Sequence, residues 1–152
     1  MKKSNSLIKI IFEINKEIKF NNSSLSIYLE NDESWLLFPK KSKASFKNSL
    51  IKINDKNNKE IFLFLETATM ESNDDSIIIE LYDQPKFYFV SKNFIDIKQE
   101  ISNQTKVLNY LEAKENISLN VDEIIEINNI KNTLFKLKMI QKFKLSEGEI
   151  NE

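Results

Sequence analysis

Apolar and polar residues alternate with a period of two along the first ninety residues, which is the pattern of half-buried β-strands. Short runs rich in Asn, Asp, Ser and Pro interrupt the alternation, as turns do. The pattern predicts seven strands, over residues 7–14, 25–29, 35–38, 45–53, 61–65, 77–82 and 86–90. Strands of this length and spacing are typical of an antiparallel β meander or a small barrel.

After residue 90 the apolar period lengthens to three and four, which predicts helices. A first amphipathic helix is expected over Lys92–Lys114, with Ser91 as its N-cap. A second is expected from Asn120, where residues 120–123 resemble a capping box, to about Leu145. The predicted fold class is therefore α+β, with about seven strands followed by two C-terminal helices.

Turn-rich segments between these elements are short, so the sequence predicts one domain rather than several. We expect a single α+β domain over residues 1–145, β-rich over 7–90 and helical over 92–145, followed by a flexible tail over 146–152. With one glycine in the chain, we expect Asn and Asp to occupy the left-handed turn positions.

The amino-acid composition excludes several types of catalytic and binding site. All 22 basic residues are Lys, a bias that indicates an AT-rich genome. The chain also has no His and no Cys. Histidine-dependent and thiol-dependent catalysis and structural zinc sites need those missing side chains, and phosphate-binding loops need several glycines. The paired carboxylates Asp74-Asp75 are interpreted as a solvated hairpin tip. We therefore expect no enzyme activity, no cofactor and no metal.

Net charge is −1, with the two signs interspersed, so any basic patch must be local. No run of 18 apolar residues occurs, which predicts no membrane span. Together with the absence of Cys, this favours an intracellular protein, cytoplasmic or nuclear.

One candidate interaction surface lies on the second predicted helix. Residues spaced three and four apart form its main apolar stripe, namely Ile124, Ile127, Ile130, Leu134 and Leu137. Phe135, Met139, Ile140 and Phe143 lie off this stripe, so this end of the helix is apolar nearly all round. Burial against the first helix is one interpretation. Contact with a protein partner or a second copy of the chain is the other.

A second candidate surface would bind RNA or single-stranded nucleic acid, which proteins bind with aromatic side chains beside basic ones. Lys40, Lys41 and Lys43 form the densest basic run, and Lys86 and Tyr88 lie in the last predicted strand. Phe87 and Phe89 share the opposite face of that strand and are expected in the core.

Two local resemblances bear on function. The strand order through residues 24–28, 34–36, 45–46 and 49–53 resembles the pleckstrin-homology-like superfold, which implies an adaptor role. Residues 76–81 and 83–88 are similar to a strand and turn in the N-terminal region of eukaryotic RNA-dependent RNA polymerases, which implies a non-catalytic segment.

We predict a non-catalytic protein-interaction domain, an adaptor or a subunit of a larger intracellular assembly. The alternative is a module that binds RNA or single-stranded nucleic acid.

Overall fold

The structure confirms an α+β architecture in which strands come first and two helices follow. The computed structural model describes residues 5–115 and 120–150 of the chain. Within these residues it has eight strands and two helices, one strand more than predicted, because a short strand follows the second helix. The elements in chain order are β1 (Ser6–Phe12), β2 (Lys16–Leu29), β3 (Ser34–Leu37), β4 (Lys43–Asn54), β5 (Glu60–Ser72), β6 (Ser76–Leu81), β7 (Phe87–Val90), α1 (Lys98–Glu115), α2 (Val121–Phe143) and β8 (Leu145–Gly148).

Five strands of this mixed sheet form a closed ring of hydrogen-bonded pairs. β2 pairs with β1 and β4, β4 with β5, β5 with β6, and β6 with β1. The ring agrees with the small barrel predicted. One pair departs from the antiparallel order expected, because β1 and β6 run parallel, from Leu7 beside Ser76 to Ile11 beside Glu80. Alternation along a strand fixes its buried face but not the direction of its neighbour.

The main core draws residues from all five ring strands. Completely buried members include Ile8 and Ile10 of β1, Ile53 of β4, Met70 of β5 and Ile79 of β6. Burial of one such side chain contributes about 1.5–3 kcal/mol. The alternation that predicts the strands therefore also stabilises the closed ring.

Two compact units make up the chain. The single α+β domain over 1–145 stays a prediction. The strand unit holds the chain up to Phe89 and the residues from Glu147 on, and the helix unit is Val90–Ser146. Part of the segment predicted as a flexible tail over 146–152 thus belongs to the strand unit. Leu145–Gly148 forms β8, next to β7 in the sheet, and Ile150 packs against the main core.

The only glycine of the chain explains how β8 fits there. A Cβ atom at Gly148 would lie 2.8 Å from Cδ2 and 2.9 Å from Cε2 of the Phe89 ring, closer than real Cβ atoms come. Without a side chain, the β8 backbone can lie directly against that ring. Composition alone shows the glycine but not its neighbour, so the tail prediction had no signal for this contact.

Within the helix unit, α1 and α2 pack through a small apolar core. Its buried members are Leu111 of α1 and Ile127, Ile130 and Leu134 of α2. These α2 residues belong to the predicted apolar stripe. Ile124, predicted on the same stripe, is 47% exposed and lies one turn before the first buried residue. Burial of α2 on this side therefore starts at Ile127.

The first helix starts later than predicted. The sequence predicts it from Lys92 with Ser91 as cap, but α1 begins at Lys98, whose N–H donates to Asp96 Oδ1 at 2.9 Å. Ser91 instead donates its backbone N–H to the carbonyl of Lys144 at 2.8 Å. The Asp96 carboxylate supplies the acceptor that the first free N–H groups of a helix need, so the helix starts there.

The second helix starts where predicted. Asn120 Oδ1 accepts the N–H of Glu123 at 2.9 Å, which is the capping geometry expected. The helix ends at Phe143, and the capping residue after it, Lys144, is left-handed with φ 55° and donates its N–H to the carbonyl of Ile140. A left-handed residue at this position closes the last turn of a helix.

Left-handed backbone is also found outside the helices. Of the turn residues described, Asn58 takes such a position as predicted, but Glu13, Ile14, Glu33 and Lys41 do so too, with φ 67° at Ile14. Asn22 and Asn48 are left-handed within β2 and β4, not in turns. Ile14 lies in the turn between β1 and β2, and its side chain is 93% exposed. A β-branched residue is strained in this region, and burial does not offset the strain here.

Ile14→Asn should therefore stabilise the protein by about 1 kcal/mol, because the left-handed region costs most L-residues roughly 1–2 kcal/mol and costs Asn less. The midpoint of thermal unfolding should rise by about 2–4 °C. Ile95→Asn is the matched control, since Ile95 is 81% exposed and is not among the left-handed residues described. It should change stability by less than about 0.5 kcal/mol. An equal rise in both variants would contradict the strain explanation.

Candidate functional site

The four predicted partner-binding residues are largely covered within the chain. Met139 is buried, with 7% exposure, and Phe135, Ile140 and Phe143 are half-buried. The C-terminal half of α2 therefore does not present an open apolar face. A role of these four side chains in partner binding stays a prediction.

The start of α2 exposes more apolar surface than its end. Val121 is 70% exposed, Ile124 is 47% exposed and Ile125 is 52% exposed. Residues spaced by three and four lie on one side of a helix, so these three side chains are neighbours. They form the α2 start patch. Sequence periodicity missed this patch because it assigned Ile124 to the buried stripe. The available signal was the Asn120 cap, which places all three residues in the first two turns of the helix.

The predicted basic run lies in the turn between β3 and β4 and extends to Lys43, the first residue of β4. Lys40, Lys41 and Lys43 are all exposed. Lys41 is left-handed, with φ 54°, and its Nζ lies 3.7 Å from Asp74 Oδ2. The buried hydroxyl of Ser72 donates to the carbonyl of Pro39 at 2.6 Å and anchors this turn. One of the three lysines is therefore partly neutralised by a carboxylate.

Lys86 and Tyr88 lie far from that basic run. Tyr88 pairs with Phe62 near the start of β5, whereas Lys43 pairs with Glu71 near its end. Nine residues of strand separate these positions, a length of about 30 Å at 3.3 Å per residue. The structure therefore does not bring the five predicted nucleic-acid residues into one site.

Tyr88 is also constrained by its neighbours. Its ring is half-buried and lies edge-on to Phe64, with 5.2 Å between ring centroids. Burial raises the pKa of its hydroxyl above 10.0, and the negative charge of Glu147 raises it further. A ring held in this way presents less free surface to a stacking base than an exposed aromatic side chain would.

A different candidate site lies at one end of the strand unit. Two cavities there, of about 210 Å³ and about 740 Å³, share Ile18 and Ile150 in their walls and together form the end groove. Phe20, Ile61 and Phe89 line the smaller cavity, and the first two of these are buried core residues. The apolar floor of the groove is thus continuous with the main core.

Charged side chains line the smaller cavity around this floor. Lys19, Lys56, Lys59 and Asp55 contribute to it, and Lys59 Nζ lies 4.7 Å from the centroid of the Phe89 ring. A cation at that distance over an aromatic ring is attracted to it. The charge around the smaller cavity is therefore mainly positive.

The turn that carries two of these lysines is closed by a side chain. Asp55 Oδ1 accepts the backbone N–H groups of Asn57 at 2.8 Å and Lys59 at 2.9 Å. Such a turn fixes its own backbone without a partner. Sequence reasoning treated residues 54–58 only as a turn and missed the groove, whose lining residues are far apart along the chain.

Residues 5–115 and 120–150 contain neither a candidate metal site nor a candidate membrane-spanning helix. In these ranges no three or more Asp or Glu side chains cluster in a way that could hold a metal ion. No helix in the same part of the chain is long and apolar enough to cross a membrane.

A family model described as the UU051 N-terminal domain matches residues 7–86, more than half of the chain. The chain belongs to the UU051 family. A second model, described as "Uncharacterised protein UU051 C-terminal domain", matches residues 98–148. The two matched ranges follow the order of the strand unit and the helix unit, so both parts of the UU051 pattern are present.

Two further similarities extend along most of the chain. A leucine–tRNA ligase of Prochlorococcus marinus (strain MIT 9215) is 30% identical over 142 residues, which is 90% of this chain but only 16% of that protein. A chain in the cryo-EM structure of the Euglena gracilis mitochondrial ATP synthase, comprising OSCP, F1 and c-ring in rotational state 1, is similar with a TM-score of 0.54. That match has 13% identity and covers 90% of this chain and 80% of the other, so it shows the fold alone.

The raised pKa of Tyr88 gives a test of its surroundings. Because the folded pKa lies above the unfolded one, the neutral hydroxyl stabilises the fold below pH about 10, and this contribution is lost as pH rises through the folded pKa. Tyr88→Phe should therefore lose less stability at high pH than the parent protein. Ultraviolet titration of the parent minus Tyr88→Phe should give a midpoint above the ordinary tyrosine range, and Glu147→Gln should lower that midpoint. A difference curve at the ordinary tyrosine pKa would contradict this environment.

Proposed function

We propose that the chain is a non-catalytic subunit of a larger protein assembly related to ATP synthase. The observation that carries the proposal is the fold likeness to a chain of the Euglena gracilis ATP synthase. Neither the strand unit nor the helix unit alone makes up 90% of this chain, so the match includes residues of both. A match that extends through both units supports the proposal as a fold-level analogy, since one fold can serve several functions.

The α2 start patch supplies the contact surface for this proposal. Three apolar side chains that are 47–70% exposed lie together on one helix end, although single exposed apolar residues are the usual case on a surface. The occupant we propose is another protein subunit of the assembly. An apolar helix face laid into a groove of a partner is a common mode of protein recognition.

Native purification tests this proposal. The tagged chain, purified from its own cells without denaturant, should migrate in a complex much larger than 17.9 kDa. ATPase-type subunits should be present at a fixed ratio to it. Ile125→Glu should weaken that association at least tenfold, because it introduces a charge at the contact. Asn129→Glu, which places the same charge at an exposed polar position of α2, is the matched control and should leave it intact.

Each alternative result has a clear meaning for the proposal. A chain that migrates alone under native conditions would contradict the subunit role. A complex that survives Ile125→Glu and Asn129→Glu equally would leave the subunit role standing and remove the α2 start patch as its contact. Circular dichroism of both variants shows whether α2 is retained, since Glu is a good helix former.

RNA binding is a second proposal, favoured by the 30% identity to a leucine–tRNA ligase, an enzyme that acts on tRNA. Its residues would be Lys40, Lys41 and Lys43, which are exposed, with Lys86 and Tyr88 as a separate contact about 30 Å away along β5. Phosphate contacts by lysine make binding depend strongly on salt concentration.

This second proposal predicts measurable binding of a single-stranded RNA oligonucleotide at low salt, lost as salt rises. Replacing Lys40, Lys41 and Lys43 by Gln should reduce the slope of log affinity against log salt by about 2, at roughly 0.7 for each phosphate contact. The matched control is Lys92→Gln with Lys98→Gln and Lys106→Gln, three exposed lysines of the helix unit. Fluorescence anisotropy measures both. Absence of binding at low salt would exclude RNA recognition.

A further inference from the structure

We propose that the end groove of the strand unit binds a small amphipathic anion, a carboxylate that carries a short hydrocarbon chain. The proposal goes beyond the subunit role and does not depend on it. It rests on residues of the strand unit alone, and three features of the groove support it.

The first feature is the apolar floor. Phe20 is 7% exposed and Ile61 is 3% exposed, and both belong to the main core, with the half-buried Phe89 and Ile150 packed against it. A hydrocarbon chain that covers these side chains would remove further apolar surface from water, at roughly 25 cal/mol per Å². A purely inorganic anion gains nothing from such a floor.

The second feature is the positive rim. Lys56 and Lys59 lie on the turn that Asp55 closes, and Asp55 is already held by two backbone N–H groups. Its carboxylate therefore has less capacity to pair with these lysines. Lys19 also lines the cavity, but its Nζ lies 3.2 Å from Glu17 Oε1. Lys56 and Lys59 are thus the main candidates for holding a carboxylate.

The third feature is size and continuity. The basic cavity, at about 210 Å³, is below the roughly 300–1,000 Å³ of pockets for drug-sized ligands, so it suits a small head group and a few carbon atoms. Beyond Ile18 and Ile150 lies the larger cavity of about 740 Å³. Its charged lining includes Glu147 and Glu149 as well as Lys86, so it does not favour a second anionic group. A ligand with one anionic end and one apolar tail therefore fits the groove better than a ligand with two anionic ends.

Binding of octanoate to the full chain tests the proposal, with calorimetry for affinity and amide chemical shifts for position. Octanoate should bind and shift the amides of residues 18–20 and 55–59. Acetate and inorganic phosphate, which lack the tail, and 1-octanol, which lacks the charge, should each bind at least tenfold more weakly. Lys56→Gln with Lys59→Gln should weaken octanoate binding about tenfold or more, because charge-assisted hydrogen bonds are lost.

Lys16→Gln with Lys47→Gln is the matched control, because both lysines are exposed in the same unit and neither lines the groove. It should leave octanoate affinity unchanged. Octanoate binding that falls equally in both variants, or shifts confined to other residues, would overturn the proposal. So would phosphate binding as tight as octanoate binding, or no octanoate binding at millimolar concentration. Ile150→Ser provides a second variant on the apolar side, and it should weaken octanoate without affecting acetate.

Discussion

The parallel pairing of β1 with β6 closes the strand ring, and most of the strand unit depends on it. The two strands are separated in sequence by β2 to β5, so their pairing requires a large loop to close before any contact forms. Burial of Ile8 and Ile10 of β1 beside Ile77 and Ile79 of β6 offsets that cost. Without this pair, two apolar strands would have open edges, which favour pairing with other chains.

Ring closure also determines where polar chemistry can occur on this unit. The interior is filled by Ile, Leu, Phe and Met side chains, so charged groups are confined to the turns and the outer surface. The β4–β5 turn places Lys56 and Lys59 at the end of the ring, next to core residues such as Phe20 and Ile61. The groove combines an apolar floor with two lysines because the β4–β5 turn lies beside core residues that line a cavity.

Local patterns in the sequence identified features whose causes are also local. Alternation located seven strands, and the Asn120 side chain marked the start of α2, because both depend on residues a few positions apart. Features that depend on distant residues were missed. The direction of β6, the packing of Gly148 on Phe89 and the end groove each join parts of the chain that are far apart. The late start of α1 is different, since the Asp96 side chain that accepts the Lys98 N–H is only two residues away in the sequence.

For the candidate sites too, the sequence identified the residues but not the contacts that distant parts of the chain make with them. Helical periodicity identified Phe135, Met139 and Phe143 as apolar residues off the main stripe, but it could not show that they are half-buried or buried. Composition identified Lys40 to Lys43 and Tyr88, but not that strand pairing separates them along β5. The resemblances to the pleckstrin-homology-like superfold and to RNA polymerases stay predictions.

The space around Gly148 restricts which residue this position can hold. The one glycine of the chain stands where a Cβ would lie 2.8 Å from the Phe89 ring. Any other residue there must displace that ring, and the same ring lies under Lys59 in the end groove. A change at position 148 would therefore be transmitted to a cation that is distant in sequence. The size of the residue at position 148 is therefore set by the space that one aromatic side chain leaves free.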